Sequence, residues 1–220
     1  MDSNTLMQIQ QFVFNHYEEN CYVLYDETSR LCTIVDPGAN ATHEDTQLTQ
    51  FIEENRLTPF LVLLTHAHVD HLAGLQPLCQ RYKLPVTMHP EGAKLLRQAG
   101  AYASVMGFDV DDLDNVETHF IDHGTILKMG NSSIECRYVP GHCPGSLCFV
   151  LHKERKVLTG DALFHLSIGR ADLPGGDPLL LIDKIREELL TLPDDYEVLP
   201  GHALRSNIGK ERLHNPYLRG

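Results

Sequence analysis

The feature that most constrains this chain is a polar cluster placed at the end of an apolar run. Phe60-Leu61-Val62-Leu63-Leu64 reads as a strand buried on both faces, and it passes directly into Thr65-His66-Ala67-His68-Val69-Asp70-His71. Three imidazoles and a carboxylate packed into six residues are costly to bury unless something binds them, and together they suit zinc, iron or manganese. On an extended segment alternate side chains point the same way, so His66 and His68 can serve one ion. Asp70 and His71, displaced by the turn into a following helix, can serve a second. Strand ends of this kind are where α/β folds place their sites.

Three later segments repeat the arrangement. His142 follows Val139-Pro140-Gly141 after a strand over 132–139. Asp161 follows Leu158-Thr159-Gly160 after a strand over 156–159, and His202 follows Leu199-Pro200-Gly201 after one over 196–199. Glycine just before a ligand allows close backbone approach or unusual dihedrals. Of the remaining histidines, His16, His43, His89, His119, His123, His152 and His214 are read as surface or structural groups. His165, four residues after Asp161, lies in a loop expected to overlook the site and is a candidate substrate contact or outer support.

The rest of the pattern supplies the scaffold. Strands are expected over 7–14, 20–25, 31–35 and 146–151, with a turn at Asp36-Pro37-Gly38. Helices are expected over 43–55, where Leu48, Phe51 and Ile52 share a face, and over 71–83, 91–104 and 178–190. Asp177 before Pro178 matches a cap followed by a first-turn proline. No linker or repeat divides the chain, so one domain over 1–220 is expected.

Composition narrows the partners. A formal net charge of −12 argues against nucleic-acid binding. There is no apolar run of membrane-spanning length, so no membrane partner is expected. Met1 to Gln10 lacks a basic region followed by an apolar stretch, which argues against a secretory leader. Cys21, Cys32, Cys79, Cys136, Cys143 and Cys148 show no close CxxC pairing and read as free buried thiols, so a cytoplasmic location is expected. The oligomeric state is not legible.

The pattern His66-x-His68-x-Asp70-His71, then His142, Asp161 and His202, resembles the metallo-β-lactamase superfamily. More narrowly it is similar to the short glyoxalase II-like, or hydroxyacylglutathione hydrolase-like, branch. Supporting pieces are Asn20-Cys21-Tyr22, Val35-Asp36-Pro37-Gly38, Gly160-Asp161-Ala162-Leu163-Phe164, Gly169-Arg170-Ala171-Asp172 and Glu211-Arg212-Leu213-His214-Asn215-Pro216. The likeness runs over residues 7–218. It implies an α+β fold, a four-layer αββα sandwich, with the site at one edge between two sheets. It implies two divalent metal ions, zinc first, with iron or manganese accepted by the same donors. His66, His68 and His142 would hold one, Asp70, His71 and His202 the other, and Asp161 would bridge them. The C-terminal helical extension of the longer hydrolases is not expected, since Gly220 follows soon after the His202 loop. It carries Asp172 and Leu204 where tyrosines are expected, and Cys143 where threonine is common.

The function so implied is hydrolysis of a small-molecule thioester, S-lactoylglutathione or a related acyl thioester, by metal-bound hydroxide attacking the carbonyl. Asp70 and Asp161 are the expected catalytic groups. Arg170 and His165 are the expected substrate contacts, Arg170 through a carboxylate. Cys143 adjoins His142, but a metal-bound histidine cannot also serve a thiol as base. The alternative on the same scaffold is a mononuclear-iron persulfide dioxygenase using His66, His142 and Asp161. Lactonase or β-lactamase activity and a non-catalytic scaffold rank below these; a nuclease would need a basic surface.

Overall fold

Cys21 and Val23 pack into one apolar core, while Tyr22 and Leu24, one residue out of step, pack into another. The same period-2 division recurs along the chain and sets its layers. The computed structural model describes residues 6–110 and 113–219, so residues 1–5 of the N-terminal stretch read above lie outside the described residues. In chain order the elements are β1 (Gln8–Phe14), β2 (Glu19–Tyr25), β3 (Leu31–Val35), α1 (Thr42–Glu54), β4 (Thr58–Leu63), α2 (Val69–Leu72), α3 (Leu75–Tyr82) and β5 (Val86–Met88). There follow α4 (Ala93–Ala103), β6 (Thr118–Phe120), β7 (Ile126–Met129), β8 (Ser132–Tyr138), β9 (Leu147–Leu151) and β10 (Lys156–Gly160). The last are β11 (Leu163–Phe164), β12 (Ser167–Ile168), α5 (Pro178–Lys184), β13 (Glu197–Pro200), β14 (Ser206–Asn207) and α6 (Ile208–His214).

Two six-stranded sheets result, ordered β1-β2-β3-β4-β5-β6 and β14-β13-β10-β9-β8-β7. In the first, β3, β4, β5 and β6 run parallel; in the second, only β10 and β13 do. The inner core joins the sheets face to face: Tyr22, Leu24, Val35 and Leu63 from one meet Ile134, Phe149, Leu158 and Leu199 from the other. The alternate residues face outward onto helices. Val23, Ile34 and Val62 pack with Leu48, Leu72, Leu78 and Leu96 of α1 to α4, and Val150, Val157 and Val198 pack with Leu181 and Ile208. The architecture is the α+β sandwich in four layers, αββα.

Several expectations are refined. The run at 60–64 is buried only toward its end: Phe60 is exposed and Val62 to Leu64 are fully enclosed. The reason is pairing, because β5 covers β4 only at Val62 and Leu63. The helix expected over 71–83 starts earlier and is broken into α2 and α3. Gly74 at the break donates its N–H to Pro37 O at 2.8 Å, and a side chain there would press on the Ala39 carbonyl at 2.9 Å. The helix expected over 178–190 is α5 followed by a π turn over Ile185–Leu189. Asp177 caps it, accepting from Leu179 N and Leu180 N. All six cysteines are buried and free. No helix of the described residues is long and apolar enough to cross a membrane.

Phe149 is fully buried where the two sheets meet. Phe149→Ala should lower the unfolding free energy by about 3–5 kcal/mol, read as a fall in urea midpoint at unchanged slope.

Candidate metal centre

Each candidate donor leaves the end of a strand or the first turn of the helix after it. His66 and His68 follow β4, and Asp70 and His71 lie in α2. His142 follows β8, Asp161 follows β10, and His202 follows β13. Two glycines make the approach possible. Gly141 has φ +121°, and a Cβ there would lie 2.4 Å from Leu181 N. Gly201 passes beneath the cluster, where a Cβ would meet Asp161 Oδ1 at 2.4 Å and His71 Cε1 at 2.7 Å.

The seven residues form two adjacent tripods. In the first, His66 Nε2, His68 Nδ1 and His142 Nε2 form a triangle with sides of 3.1, 2.8 and 3.3 Å. In the second, His71 Nε2 lies 3.3 Å from His202 Nε2, and Asp70 Oδ2 lies 3.1 Å from His202 and 3.8 Å from His71. Asp161 stands between them. Its Oδ2 is 3.6 Å from His142 Nε2 and 3.7 Å from His202 Nε2, and its Oδ1 is 3.3 Å from His71 Nε2.

The outer nitrogens decide what the inner ones can do. His142 Nδ1 faces Arg170 O at 2.7 Å, His202 Nδ1 faces Tyr17 O at 2.9 Å, and His71 Nδ1 faces Asp36 Oδ2 at 3.0 Å. The two carbonyls can only accept, and Asp36 Oδ2 already accepts from Thr65 Oγ1, so each imidazole donates to them. His66 Nδ1 lies 3.0 Å from Thr65 Oγ1, whose own hydroxyl donates to Asp36 Oδ2 at 2.6 Å, so His66 donates as well. In a neutral ring, donation at Nδ1 leaves Nε2 as a bare lone pair. When neutral, these four histidines turn lone pairs inward, held so by the outer partners that fix their rings. Nitrogens about 2.05 Å from a tetrahedral ion lie roughly 3.3 Å apart, which the first triangle nearly matches.

Charge points the same way. Glu19, Asp36 and Asp70 are buried, the Asp161 side chain is only 11% exposed, and among the described residues every ion pair to these four carboxylates comes from a histidine. Glu19 Oε1 and Oε2 and Asp161 Oδ1 are buried without a hydrogen-bond partner. Such a set of donors and orphaned acceptors fits divalent cations.

Burial, with neighbouring imidazoles, holds His66 well below the ordinary histidine range; burial beside His142 lowers His68 to about 4. Burial opposes charge on His71 also, but Asp161 and Asp70 outweigh it and hold its pKa high. At His202, Asp70 and Asp161 likewise prevail over burial and raise it. At Asp161 burial is outweighed by His71, His142 and His202, which keep the carboxyl ionised.

Some functional groups escaped the sequence reading. Asp36 looked like part of a turn, yet its carboxylate accepts from Thr65 N, Thr65 Oγ1 and His71. Asn20 and Tyr22 clamp the loop that carries His202. The Asn20 amide donates to Pro200 O and Ala203 O at 2.9 and 3.1 Å, and Tyr22 OH donates to Pro200 O at 2.8 Å. Their signal was the Asn20-Cys21-Tyr22 motif, visible without a role. Arg170 touches the centre through its carbonyl, and its guanidinium pairs with Asp172. His165 is set apart: its Nε2 is buried without a hydrogen-bond partner, and no recorded contact joins it to the seven donors among the described residues. Cys143 is buried beside the first tripod, its thiol pushed up to about 12 by burial.

A profile of the metallo-beta-lactamase superfamily matches residues 16–202, and the chain belongs to that superfamily. It is 34% identical to the hydroxyacylglutathione hydrolase GloC of Haemophilus influenzae, over 96% of this chain and 98% of that one. Among solved structures it is similar to BLEG-1 B3 metallo-beta-lactamase, at TM-score 0.87 and 32% identity over 97% of this chain and 100% of that one. It is also similar to TTHA1623 in a di-iron-bound form, at TM-score 0.84 and 32% identity over 95% and 100%. ETHE1 from Myxococcus xanthus is similar at TM-score 0.76 and 26% identity over 96% and 84%. The chain is thus a metal-binding enzyme of the metallo-hydrolase kind.

In the metal-free protein, stability should peak near pH 6.5. His66 and His68 are neutral when folded and charge on unfolding below about pH 6.5, so the unfolded state binds more protons there and stability falls with falling pH. His71 and His202 keep protons above that pH when folded, so their contribution is lost as pH rises. Urea midpoints of chelator-treated protein at pH 5, 6.5 and 8.5 check this; a midpoint that rises steadily with pH would contradict it.

Proposed function

We propose that this chain is a metal-dependent thioester hydrolase of the glyoxalase II type, acting on S-lactoylglutathione or a related acyl thioester. The observation that carries the reading is the pair of tripods sharing Asp161, in a chain that matches the Haemophilus hydroxyacylglutathione hydrolase over 98% of that protein's length. That relative and this chain match over nearly their whole lengths, which supports carrying its named activity across. One domain over 1–220 is part of the same reading.

His66, His68 and His142 would hold one divalent ion, Asp70, His71 and His202 a second, with Asp161 shared. Zinc is the first expectation, and the likeness to a di-iron protein supports iron as the next. When bound, the ions polarise an acyl carbonyl and make hydroxide available near neutral pH. The protein's own part is to hold these groups in place. Asp36 and Thr65 fix the tautomers of His71 and His66, and the Arg170 and Tyr17 carbonyls fix those of His142 and His202. Asp70 and Asp161 would be the catalytic carboxylates, Asp70 with the second ion and Asp161 shared between the two. The leaving thiol is acidic enough to depart as thiolate, so no separate proton donor is needed. Arg170 is the cation offered to a substrate carboxylate; His165, whose Nε2 is buried, would reach substrate only through the rest of its ring.

A second reading has its own support. His66 and His142, 3.3 Å apart through Nε2, together with Asp161 make a two-histidine, one-carboxylate face of the kind that holds mononuclear iron in oxygenases. Oxidation of glutathione persulfide is the corresponding reaction.

Metal-loaded protein should hydrolyse S-lactoylglutathione, and Asp161→Ala should reduce kcat/KM by about 100-fold or more. Turnover no faster than the variant's would remove glutathione thioesters as substrates. Oxygen uptake with glutathione persulfide and hydrolysis of a lactone and a β-lactam, measured alongside, would then identify the chemistry.

A further inference from the structure

Arg170 is anchored to the wall of the candidate centre. Its carbonyl accepts from His142 Nδ1 at 2.7 Å, and Gly169 before it runs so close to Asp161 that a Cβ there would meet the Asp161 carbonyl oxygen at 1.8 Å. The guanidinium therefore starts from a fixed place behind the His142 ring and extends into solvent. Its fork is already taken. Nε and Nη2 donate to Asp172 Oδ1 and Oδ2 at 2.8 and 2.9 Å, a bidentate pair with both side chains exposed. Arg170 in turn holds the Asp172 carboxyl down to about 2, so the competing anion is present at any working pH. The two residues are separated by one position, so the competitor is tethered at high local concentration.

The cation three residues after His202 is also engaged. Arg205 donates to Gln11 Oε1 at 2.9 Å and to Glu197 Oε1 at 3.2 Å. The side of the centre near His202 is apolar: Leu204 is 71% exposed, Tyr17 is 44% exposed, and the Phe164 ring lies 6.2 Å from the His202 ring. An arriving thioester meets apolar surface on one side and a cation already matched to its own carboxylate on the other.

We infer that Asp172 is a specificity-determining residue: it competes with a substrate carboxylate for the Arg170 fork, and so favours thioesters of uncharged thiols over those of carboxylate-bearing thiols. The inference rests on the thioester-hydrolase reading and deepens it. The effect is one of degree, because an exposed ion pair is weak and a substrate carboxylate can displace it. Without Asp172, Arg170 is freed and the repulsion between two carboxylates is removed.

The test uses the full metal-loaded chain with S-lactoylglutathione and the uncharged S-lactoyl-N-acetylcysteamine. Asp172→Asn should lower KM for S-lactoylglutathione about threefold or more relative to KM for the uncharged thioester, with kcat for the glutathione thioester little altered. Glutathione as a competitive inhibitor should bind more tightly by the same factor. Asp172→Glu, which keeps the charge, should retain a ratio near that of the unmodified chain. If both KM values move together in Asp172→Asn, or neither moves, the inference is overturned and the hydrolase reading stands. If the unmodified chain turns over neither thioester, the reading itself fails and the inference with it.

Discussion

Four carboxylates and five imidazoles meet where the two sheets come together, and the ion pairs recorded there are all between members of that set. Everything else in the fold is arranged to hold this set in place. Left to itself the arrangement is unfavourable, since carboxylates repel one another and desolvated charge is expensive. Two divalent cations carry +4, the charge that Glu19, Asp36, Asp70 and Asp161 would balance if all were ionised. Glu19 and Asp36 do not face the tripods as donors in this scheme; they sit behind His71 and set the potential in which it works. Packing, glycines and a strand clamp hold together a set of charges that divalent cations would stabilise.

The apolar cores underlie that arrangement. Strands with strict alternation feed the inner core and an outer core at once, as β2 and β9 do with successive residues. Both sheets are covered on their outer faces by helices, and the strand ends along one edge are left free to carry polar residues. The site is thus built from chain that leaves the sheets, which is why packing and chemistry conflict so little here.

Several donors were legible because each is a polar residue in an improbable place, just beyond the end of a strand. His66, His142, Asp161 and His202 share that signature, and the structure brings all seven expected donors together. Other features were hidden for physical reasons. β5, β6 and β14 hold two or three residues each, too few for alternation to register, and exist because neighbouring strands recruit them. The break between α2 and α3 comes from Gly74 docking on Pro37 and Ala39, a contact across more than thirty residues that periodicity cannot encode. Asp36 was visible only as a turn, because its partners Thr65 and His71 lie far away in sequence. The orienting acceptors on Tyr17 and Arg170 are backbone carbonyls, which any residue would supply. For Arg170 and Asp172 the sequence itself sets cation and anion two positions apart and suggests a pair, and only its bidentate form depends on loop geometry.

The clamp of Asn20 and Tyr22 on Pro200 and Ala203 ties the second strand of the chain to the loop after its second-to-last strand, across about 180 residues. Contacts of that span close late, because the entropy of a long loop must be overcome before they form. A growing chain that has made residues 66–71 holds four of the seven donors, but neither tripod is complete until His142 and then His202 are in position. Until the loop that carries His202 is docked, the second tripod lacks one of its donors, so a partly made chain does not hold the full set.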